Sequence, residues 1–96
     1  MKKVKYISLD NMAVRLQEID VTDLNGEKVM MNLDKGEYFA LNEVGSRIWD
    51  IIIKPMSVKD IIHILLKEYN IDETSCKEQV ISFLGRMNDA EIIKIC

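Results

Sequence analysis

The hydrophobic period of the chain changes at Asn42, and this change constrains the fold more than any other feature. Residues 37–41 are typical of a short strand, with the large apolar Phe39 and Leu41 on one face and Tyr38 and Ala40 on the other. Beyond Asn42 the apolar residues recur at the spacing of one helical face, as Val44, Ile48, Ile51 and Ile52, flanked by Trp49. Because asparagine is a good helix N-cap, we expect the chain to pass directly from a strand into a helix here.

Two more strands are predicted upstream of this junction. Residues 12–19 alternate, with Met12, Val14 and Leu16 on one face and Ala13, Arg15 and Gln17 on the other. Residues 23–26 are typical of a turn, and residues 29–33 alternate again. Residues 34–36 then close a tight hairpin onto the third strand, 37–41, with Gly36 suited to a positive φ. In this third strand Phe39 and Leu41 are predicted to face inward, with Tyr38 and Ala40 on the other face.

Two further helices are predicted downstream. The first helix ends at Lys54-Pro55, and Ser57 begins the second with a variant of the capping box. Asn70 suits a left-handed cap after the second helix, and Asp72 caps the third, which ends at residues 88–89. The apolar stripe of the third helix consists of Cys76, Val80, Phe83, Leu84 and Met87. The tail carries Ile92, Ile93 and Ile95, which predict a short terminal strand.

Strands that precede helices predict an α+β domain. We expect a winged-helix-like arrangement, in which a three-stranded antiparallel sheet is followed by a three-helix bundle and by a possible short C-terminal strand. The expected organisation is a loosely ordered N-terminus over residues 1–11 and a single domain over residues 12–96.

The composition excludes several classes of protein. The chain has 96 residues, and its 48% hydrophobic content is enough for a core without metal or disulfide support. Its net charge of −3 argues against a nucleic acid partner, because phosphate binding relies on clustered Lys and Arg. Two cysteines are too few for a secreted disulfide framework, and no signal peptide or membrane span is visible. These features predict a cytoplasmic protein.

The sequence offers little catalytic chemistry. His63 is the single histidine, so no triad or zinc-protease motif can be assembled around it. Cys76 and Cys96 do not have the spacing of a zinc site, and the glycines form no nucleotide-binding motif. We therefore predict no catalytic residue, no metal site and no cofactor.

The third strand is the best candidate for a functional surface. It is short, apolar and placed at a sheet edge, and Glu37 is its single charged residue. Exposed edges are normally protected by charge or proline, so an unprotected edge suits the addition of a strand from another chain. The alternative is that the chain itself covers this edge. On the third helix Ile81 lies outside the apolar stripe, with Lys77 between Ile81 and Leu84, as expected for the wall of an apolar cleft.

The chain resembles the PqqD-like family of peptide-binding domains. The residues that carry the resemblance are Gly26, Val29 to Asp34, Gly36, Tyr38, Leu41-Asn42, Gly45, Ile48-Trp49, Ser57-Val58, Tyr69, Val80 and Phe83-Leu84. Cys76, the residues 55–58 and the stand-alone length look most like the version that accompanies lasso-peptide biosynthesis. The family often places glycine before the final apolar pair, where this chain has Glu91.

The resemblance implies a recognition element that binds the leader segment of a ribosomally made precursor peptide as an antiparallel strand. The residues implied for peptide binding are Glu37, Tyr38, Phe39, Ala40 and Leu41 on the strand and Lys77, Val80, Ile81, Leu84 and Met87 on the third helix. The implied partner is a leader peptidase that resembles a cysteine protease. Three alternatives remain: the same role for a radical SAM peptide-modifying enzyme, a winged-helix DNA-binding protein, and a structural subunit whose edge is permanently covered. The acidic third helix weakens the DNA alternative.

Overall fold

The computed structural model describes residues 7–16, 19–25, 27–32 and 36–96, apart from the side chains of Asp20 and Asn32. These residues form the strands β1 (Met12–Arg15), β2 (Asp20–Leu24), β3 (Glu27–Asn32), β4 (Glu37–Leu41), β5 (Met56–Ser57) and β6 (Ile93–Ile95). They also form the helices α1 (Glu43–Ile51), α2 (Val58–Glu68) and α3 (Glu73–Asp89). The predicted α+β class, with three helices after a three-stranded antiparallel sheet, is confirmed.

The strands are divided between two antiparallel sheets, whereas the sequence predicted one sheet and a tail. One sheet has the order β2-β3-β4, and the other has the order β5-β1-β6. The predicted strand over residues 12–19 is therefore wrong in extent and in partner: β1 ends at Arg15, and Val14 pairs with Lys94 near the far end of the chain. Such pairing is invisible to a local pattern because it joins distant segments. The predicted C-terminal strand is confirmed as β6.

The sequence does not predict the first strand of the β2-β3-β4 sheet correctly. Asp23 and Leu24 were predicted in a turn, but they lie in β2, where Asp23 pairs with Lys28. Asn25 is in a turn with a left-handed φ of 54°, and Gly26 lies outside the described residues. Aspartate is tolerated in β2 because it is an edge strand, where a charge protects the open edge.

The third predicted strand is confirmed as β4, which forms a hairpin with β3. Phe39 pairs with Met30, which is fully buried, and Leu41 is also buried, so the predicted inward face is correct. Gly36 has the predicted positive φ, at 66°. The rest of the predicted turn and the end of the preceding strand, residues 33–35, lie outside the described residues.

The three helix starts follow the predicted caps. The side chains of Asn42, Ser57 and Asp72 each accept a hydrogen bond from the backbone N–H three residues later, at 2.7, 3.1 and 3.0 Å respectively. Such bonds satisfy donors that a helix leaves unpaired in its first turn. The predicted left-handed cap at Asn70 is wrong. Among the described residues, those with a positive φ are Asn25, Gly36 and Glu91.

The core is formed by the helices and by one face of each sheet. Trp49 is buried to 98% of its surface at the centre, while Arg15 lies over its ring with the guanidinium carbon 5.3 Å from the ring centroid. In β1 Ala13 is fully buried whereas Met12 is exposed, so the face that carries Ala13 packs against the core. A two-pronged ion pair between Arg47 and Glu68, with both N–O distances 2.7 Å, joins α1 to α2 on the surface.

Described residues near both ends of the chain are hydrogen-bonded to other parts of the domain. Within the predicted loose N-terminus, the carbonyl groups of Leu9 and Asn11 accept hydrogen bonds from the backbone N–H groups of Lys59 and Val58, at 3.0 and 2.9 Å. Residues 1–6 lie outside the described residues. None of the helices in the described part of the chain has the length and apolar character needed to cross a membrane.

Candidate functional site

Strand β4 is an edge strand. It pairs with β3 on one side, for example through Val29 and Ala40, and none of the described strands lies on its other side. Because successive residues of a strand direct their backbone groups to opposite sides, alternate residues of β4 present N–H and C=O groups toward this open side. The strand can therefore accept a ladder of main-chain hydrogen bonds from an added peptide.

A cleft lies beside the end of β4 that carries Ala40 and Leu41, with α3 as the opposite wall and α1 at the base. We call it the β4–α3 cleft, and its volume is about 480 Å³. The strand and α1 contribute Ala40, Leu41, Asn42, Val44, Gly45 and Ile48. Helix α3 contributes Ser75, Glu78, Gln79, Ser82, Phe83 and Arg86. A strand paired with β4 would lie along this cleft, between the sheet edge and the helix.

The floor and the helical wall of the cleft differ in polarity. Leu41, Ile48 and Phe83 supply a floor whose residues are at least nine-tenths buried. The wall on α3 is polar, with exposed side chains that include the oppositely charged Glu78 and Arg86. An extended peptide places alternate side chains on opposite faces. The cleft therefore suits a peptide with an apolar side chain over the floor and polar groups toward α3.

Close packing between α1 and α3 shapes the floor. Gly45 lies in the first turn of α1, and a Cβ atom at this position would be 3.0 Å from Cε1 of Phe83. The same atom would be 3.2 Å from Oδ1 of Asn42, the oxygen that caps the helix. Only glycine fits without moving the Phe83 ring, so Gly45 sets the position of a side chain that lines the cleft.

The residues predicted on the strand lie together along the open edge. On α3 the positions are different: Val80, Leu84 and Met87 have no exposed surface and pack in the core. Ile81 is half-buried against the core, and Lys77 lines a separate cavity. The face of α3 that borders the cleft lies on the other side of Phe83, where the polar residues Ser75, Gln79 and Ser82 recur at helical spacing. Their polarity made this face look like ordinary solvent-exposed surface in the sequence.

The described residues also form cavities outside the β4–α3 cleft. One, of about 390 Å³, is lined in part by Leu16, Val21 and Ile53, beside the ion pair of Lys28 and Asp50. Another, of about 400 Å³, is lined by Leu9, Lys59, Asp60, Ile62, His63, Leu66, Glu73 and Lys77. Among the described residues, no three of the His, Cys, Asp and Glu side chains are grouped so that they could hold a metal ion.

The pKa values of Asp72, Cys76 and Tyr69 depart from their ordinary values for structural reasons, and none of these residues lies in the floor of the cleft. Backbone hydrogen bonding with Ser75 lowers the pKa of the Asp72 carboxyl group, because these bonds favour its charged form. Burial raises the pKa of the Cys76 thiol, and the charge of Asp72 adds to the effect. Burial likewise raises the pKa of Tyr69, with a further contribution from Glu43. These directions fit structural roles for the caps and the core.

Comparisons with known proteins agree with this geometry. A solved structure described as "TbiB1 in Complex with the TbiA(beta) Leader Peptide" is 25% identical, with a TM-score of 0.73 over 84% of this chain and 94% of that one. A second, "Lasso peptide synthetase B1 complexed with the leader peptide", is 20% identical, with a TM-score of 0.73 over 85% and 96%. No curated protein matches in sequence.

The family comparison is the most direct. Residues 27–93 match the family described as "Coenzyme PQQ synthesis protein D (PqqD)". This span runs from β3 to β6 and includes both walls of the β4–α3 cleft. The chain belongs to the PqqD family.

Proposed function

We propose that this protein binds the leader segment of a ribosomally synthesised precursor peptide as an added antiparallel strand on β4, and that it presents the peptide to a processing enzyme without catalysing a reaction itself. The observation that carries the proposal is the open edge of β4 beside a cleft of about 480 Å³. Two structurally similar proteins described in complex with leader peptides support it.

A leader peptide added to β4 would gain affinity from main-chain hydrogen bonds and from buried apolar area. Main-chain hydrogen bonds contribute about 0.5–1.5 kcal/mol each after exchange with water. An apolar side chain buried over Leu41 and Phe83 contributes about 1.5–3 kcal/mol. The cost of ordering a flexible peptide offsets part of this gain, so we expect a dissociation constant in the micromolar range or somewhat below. Selectivity comes from the fit of leader side chains to the floor and to the polar wall.

The partner proposed to use the bound peptide is a leader peptidase of the cysteine protease type on a separate chain, and the proposed compartment is the cytoplasm. Both expectations rest on the family resemblance. Tethering the precursor raises its effective concentration near the enzyme, so a modest affinity for the leader is sufficient. No observation favours the radical SAM enzyme or DNA over this partner.

A fluorescence anisotropy titration tests the leader-binding function. The ligand is a labelled leader from the precursor encoded beside this chain, and the variant is Ser82→Trp, which places a large ring on the exposed helical wall of the cleft. We expect saturable binding to the wild type and at least about a tenfold loss of affinity in the variant, because the ring occupies the path of the added strand.

Thr74→Trp is the matched control, since Thr74 is exposed on the same helix but does not line the β4–α3 cleft. Circular dichroism verifies that both variants fold. Equal affinities of the two variants would place the leader elsewhere, and no saturable binding to the wild type would refute the proposed function.

A further inference from the structure

The cavity of about 390 Å³ that Trp49 lines shares no lining residue with the β4–α3 cleft. We call it the Trp49 cavity. Much of its wall is aliphatic and is formed by Leu16, Ile19, Val21 and Ile53. Leu16, Val21 and Ile53 are 40%, 39% and 60% exposed, so this wall leaves apolar surface in contact with water. Sites for small molecules are typically concave and mostly apolar, with a few polar groups that orient the ligand.

Trp49 has an unused hydrogen-bond donor. Its indole Nε1 is buried, and it has no acceptor among the described residues. Most buried polar groups in folded proteins have a partner, so an unpaired N–H in a residue that lines a cavity indicates a place for an acceptor. The acceptor can come from a ligand, because the side chains of the aliphatic wall carry none.

Arg15 supplies a positive charge at the same place. Its guanidinium carbon lies 5.3 Å from the centroid of the Trp49 ring, and its Nη1 donates a hydrogen bond to the Trp49 carbonyl oxygen at 3.3 Å. Among the described residues no carboxylate forms an ion pair with Arg15, whereas the other cation of the lining, Lys28, is paired with Asp50. A guanidinium group has five N–H donors, so Arg15 can bind an anion while it keeps its contact with Trp49.

A carboxylate is the anion that suits this pair of donors. Its two oxygens can accept hydrogen bonds from a guanidinium group and from an indole N–H at the same time. The aliphatic wall then favours a hydrocarbon chain attached to the carboxylate, because burial of both apolar surfaces is favourable. A peptide chain fits less well, since its peptide groups would lose their hydration against side chains that offer no hydrogen bond.

We propose that the Trp49 cavity binds an aliphatic monocarboxylate of the fatty acid type. The carboxylate group lies at Arg15 and Trp49, and the hydrocarbon chain lies along the aliphatic wall. This is a second binding site of the domain, and it does not depend on leader binding at β4. The two sites can be tested separately because they have no lining residue in common.

The fluorescence of Trp49 provides the assay, because this residue is the single tryptophan of the chain and lines the cavity. The probe is octanoate, and the comparison is octylammonium, which has the same chain with the opposite charge. We expect octanoate to change the emission saturably, with half-saturation in about the millimolar range or below, and octylammonium to bind at least about tenfold more weakly. The absence of a saturable change with octanoate, or equal binding of the two probes, overturns the proposal.

Ile53→Glu tests the location of the site, and Leu24→Glu is its matched control. The two side chains are 60% and 55% exposed, and Ile53 lines the Trp49 cavity whereas Leu24 does not. Both substitutions change the net charge equally. We expect Ile53→Glu to weaken octanoate binding by at least about tenfold, because a like charge replaces an apolar contact, and Leu24→Glu to leave it within about twofold. Equal affinities of the two variants place the probe elsewhere and overturn the proposal.

Arg15→Gln tests the role of the positive charge, because glutamine keeps a hydrogen-bond donor without the charge. We expect at least about a tenfold loss of affinity for octanoate. Circular dichroism verifies that the variant folds, and undiminished binding in a folded variant overturns the proposal. If the loss of the contact with Trp49 unfolds this variant, the exposed position of Ile53 keeps Ile53→Glu as the deciding test.

Acetyl-dileucine distinguishes a fatty acid from the C-terminus of a peptide. It carries a carboxylate and aliphatic side chains, but its peptide groups would lack partners along the aliphatic wall. We expect it to bind at least about tenfold more weakly than octanoate in the same fluorescence assay. Tighter binding of acetyl-dileucine would overturn the assignment of the cavity to a fatty acid.

Discussion

Substitution of alanine at Gly45 and at Gly85 should change the stability of the domain in opposite directions. Both glycines lie in helices, where alanine is intrinsically favoured by about 0.8–1.0 kcal/mol. At Gly85 the nearest atom to an added Cβ is Cδ1 of Ile7 at 4.0 Å, an ordinary contact. We therefore expect Gly85→Ala to raise the free energy of unfolding by about 1 kcal/mol, which corresponds to a rise of roughly 4–8 °C in Tm.

At Gly45 the same methyl group meets the ring of Phe83 at 3.0 and 3.3 Å. The ring must move by a few tenths of an ångström within a packed site, and overpacking of this kind costs about 1–3 kcal/mol. The gain in helix propensity offsets part of that cost. We expect Gly45→Ala to lower the free energy of unfolding by roughly 0.5–2 kcal/mol.

Urea denaturation measures both changes. The single tryptophan, Trp49, is buried and reports loss of the core by fluorescence, while circular dichroism reports the helices. If Gly45→Ala proved as stable as the wild type, the contact between α1 and Phe83 would not require glycine. If Gly85→Ala did not raise the free energy of unfolding, helix propensity would not determine stability at this open position. Because Phe83 lines the cleft, Gly45→Ala should also weaken leader binding, whereas Gly85→Ala should not.

Three further outcomes are expected. Glu91 has a left-handed φ of 61°, so Glu91→Gly should have a free energy of unfolding about 0.5–1 kcal/mol higher than Glu91→Ala, which loses the same side chain, in the same urea assay, and the reverse order would contradict the backbone-strain argument. Iodoacetamide at pH 8 should alkylate the exposed Cys96 well before the buried Cys76, whose pKa is raised, and mass spectrometry would reveal the reverse order. The pKa of Asp72 is lowered on folding, so its contribution to stability is present above its ordinary value of 3.8 and is lost as the pH falls through the folded value. Thermal melts between pH 2 and 5 should therefore show a shallower acid loss for Asp72→Asn, and an unchanged slope would contradict this linkage.

The helices were predictable because their signals are local. Asn42, Ser57 and Asp72 each satisfy a donor three residues away, so the cap and the start of the helix lie in one short segment of sequence. The hairpin of β3 and β4 was predictable for a similar reason, since its turn and its alternating residues are neighbours in the chain. In contrast, β1 pairs with β5 and β6, and nothing near Met12 indicates those partners.

The candidate cleft could be predicted from the sequence at its strand, and less so at its helix. The open edge was predicted from the low charge of β4, in which Glu37 is the single charged residue, and this is a local property. The helical wall depends on how α3 is rotated about its axis, and this rotation is set by packing with α1 and α2. The apolar stripe with Val80 and Leu84 faces the core, so the cleft meets the adjoining polar side of the helix, where Gln79 and Ser82 lie. Binding surfaces of this kind resemble solvent-exposed helix faces in sequence.

The position of α3 also explains how an unprotected edge can be tolerated. A sheet edge with unpaired backbone groups invites pairing with any other strand, and aggregation follows when whole sheets approach each other. Here α3 stands across the cleft from β4, with Ser82 and Arg86 on the facing wall. A folded sheet that approached β4 would collide with the helix, whereas a single extended peptide fits between them. The wall that we propose as the leader's second contact surface would therefore also limit the edge to single, flexible, extended peptides.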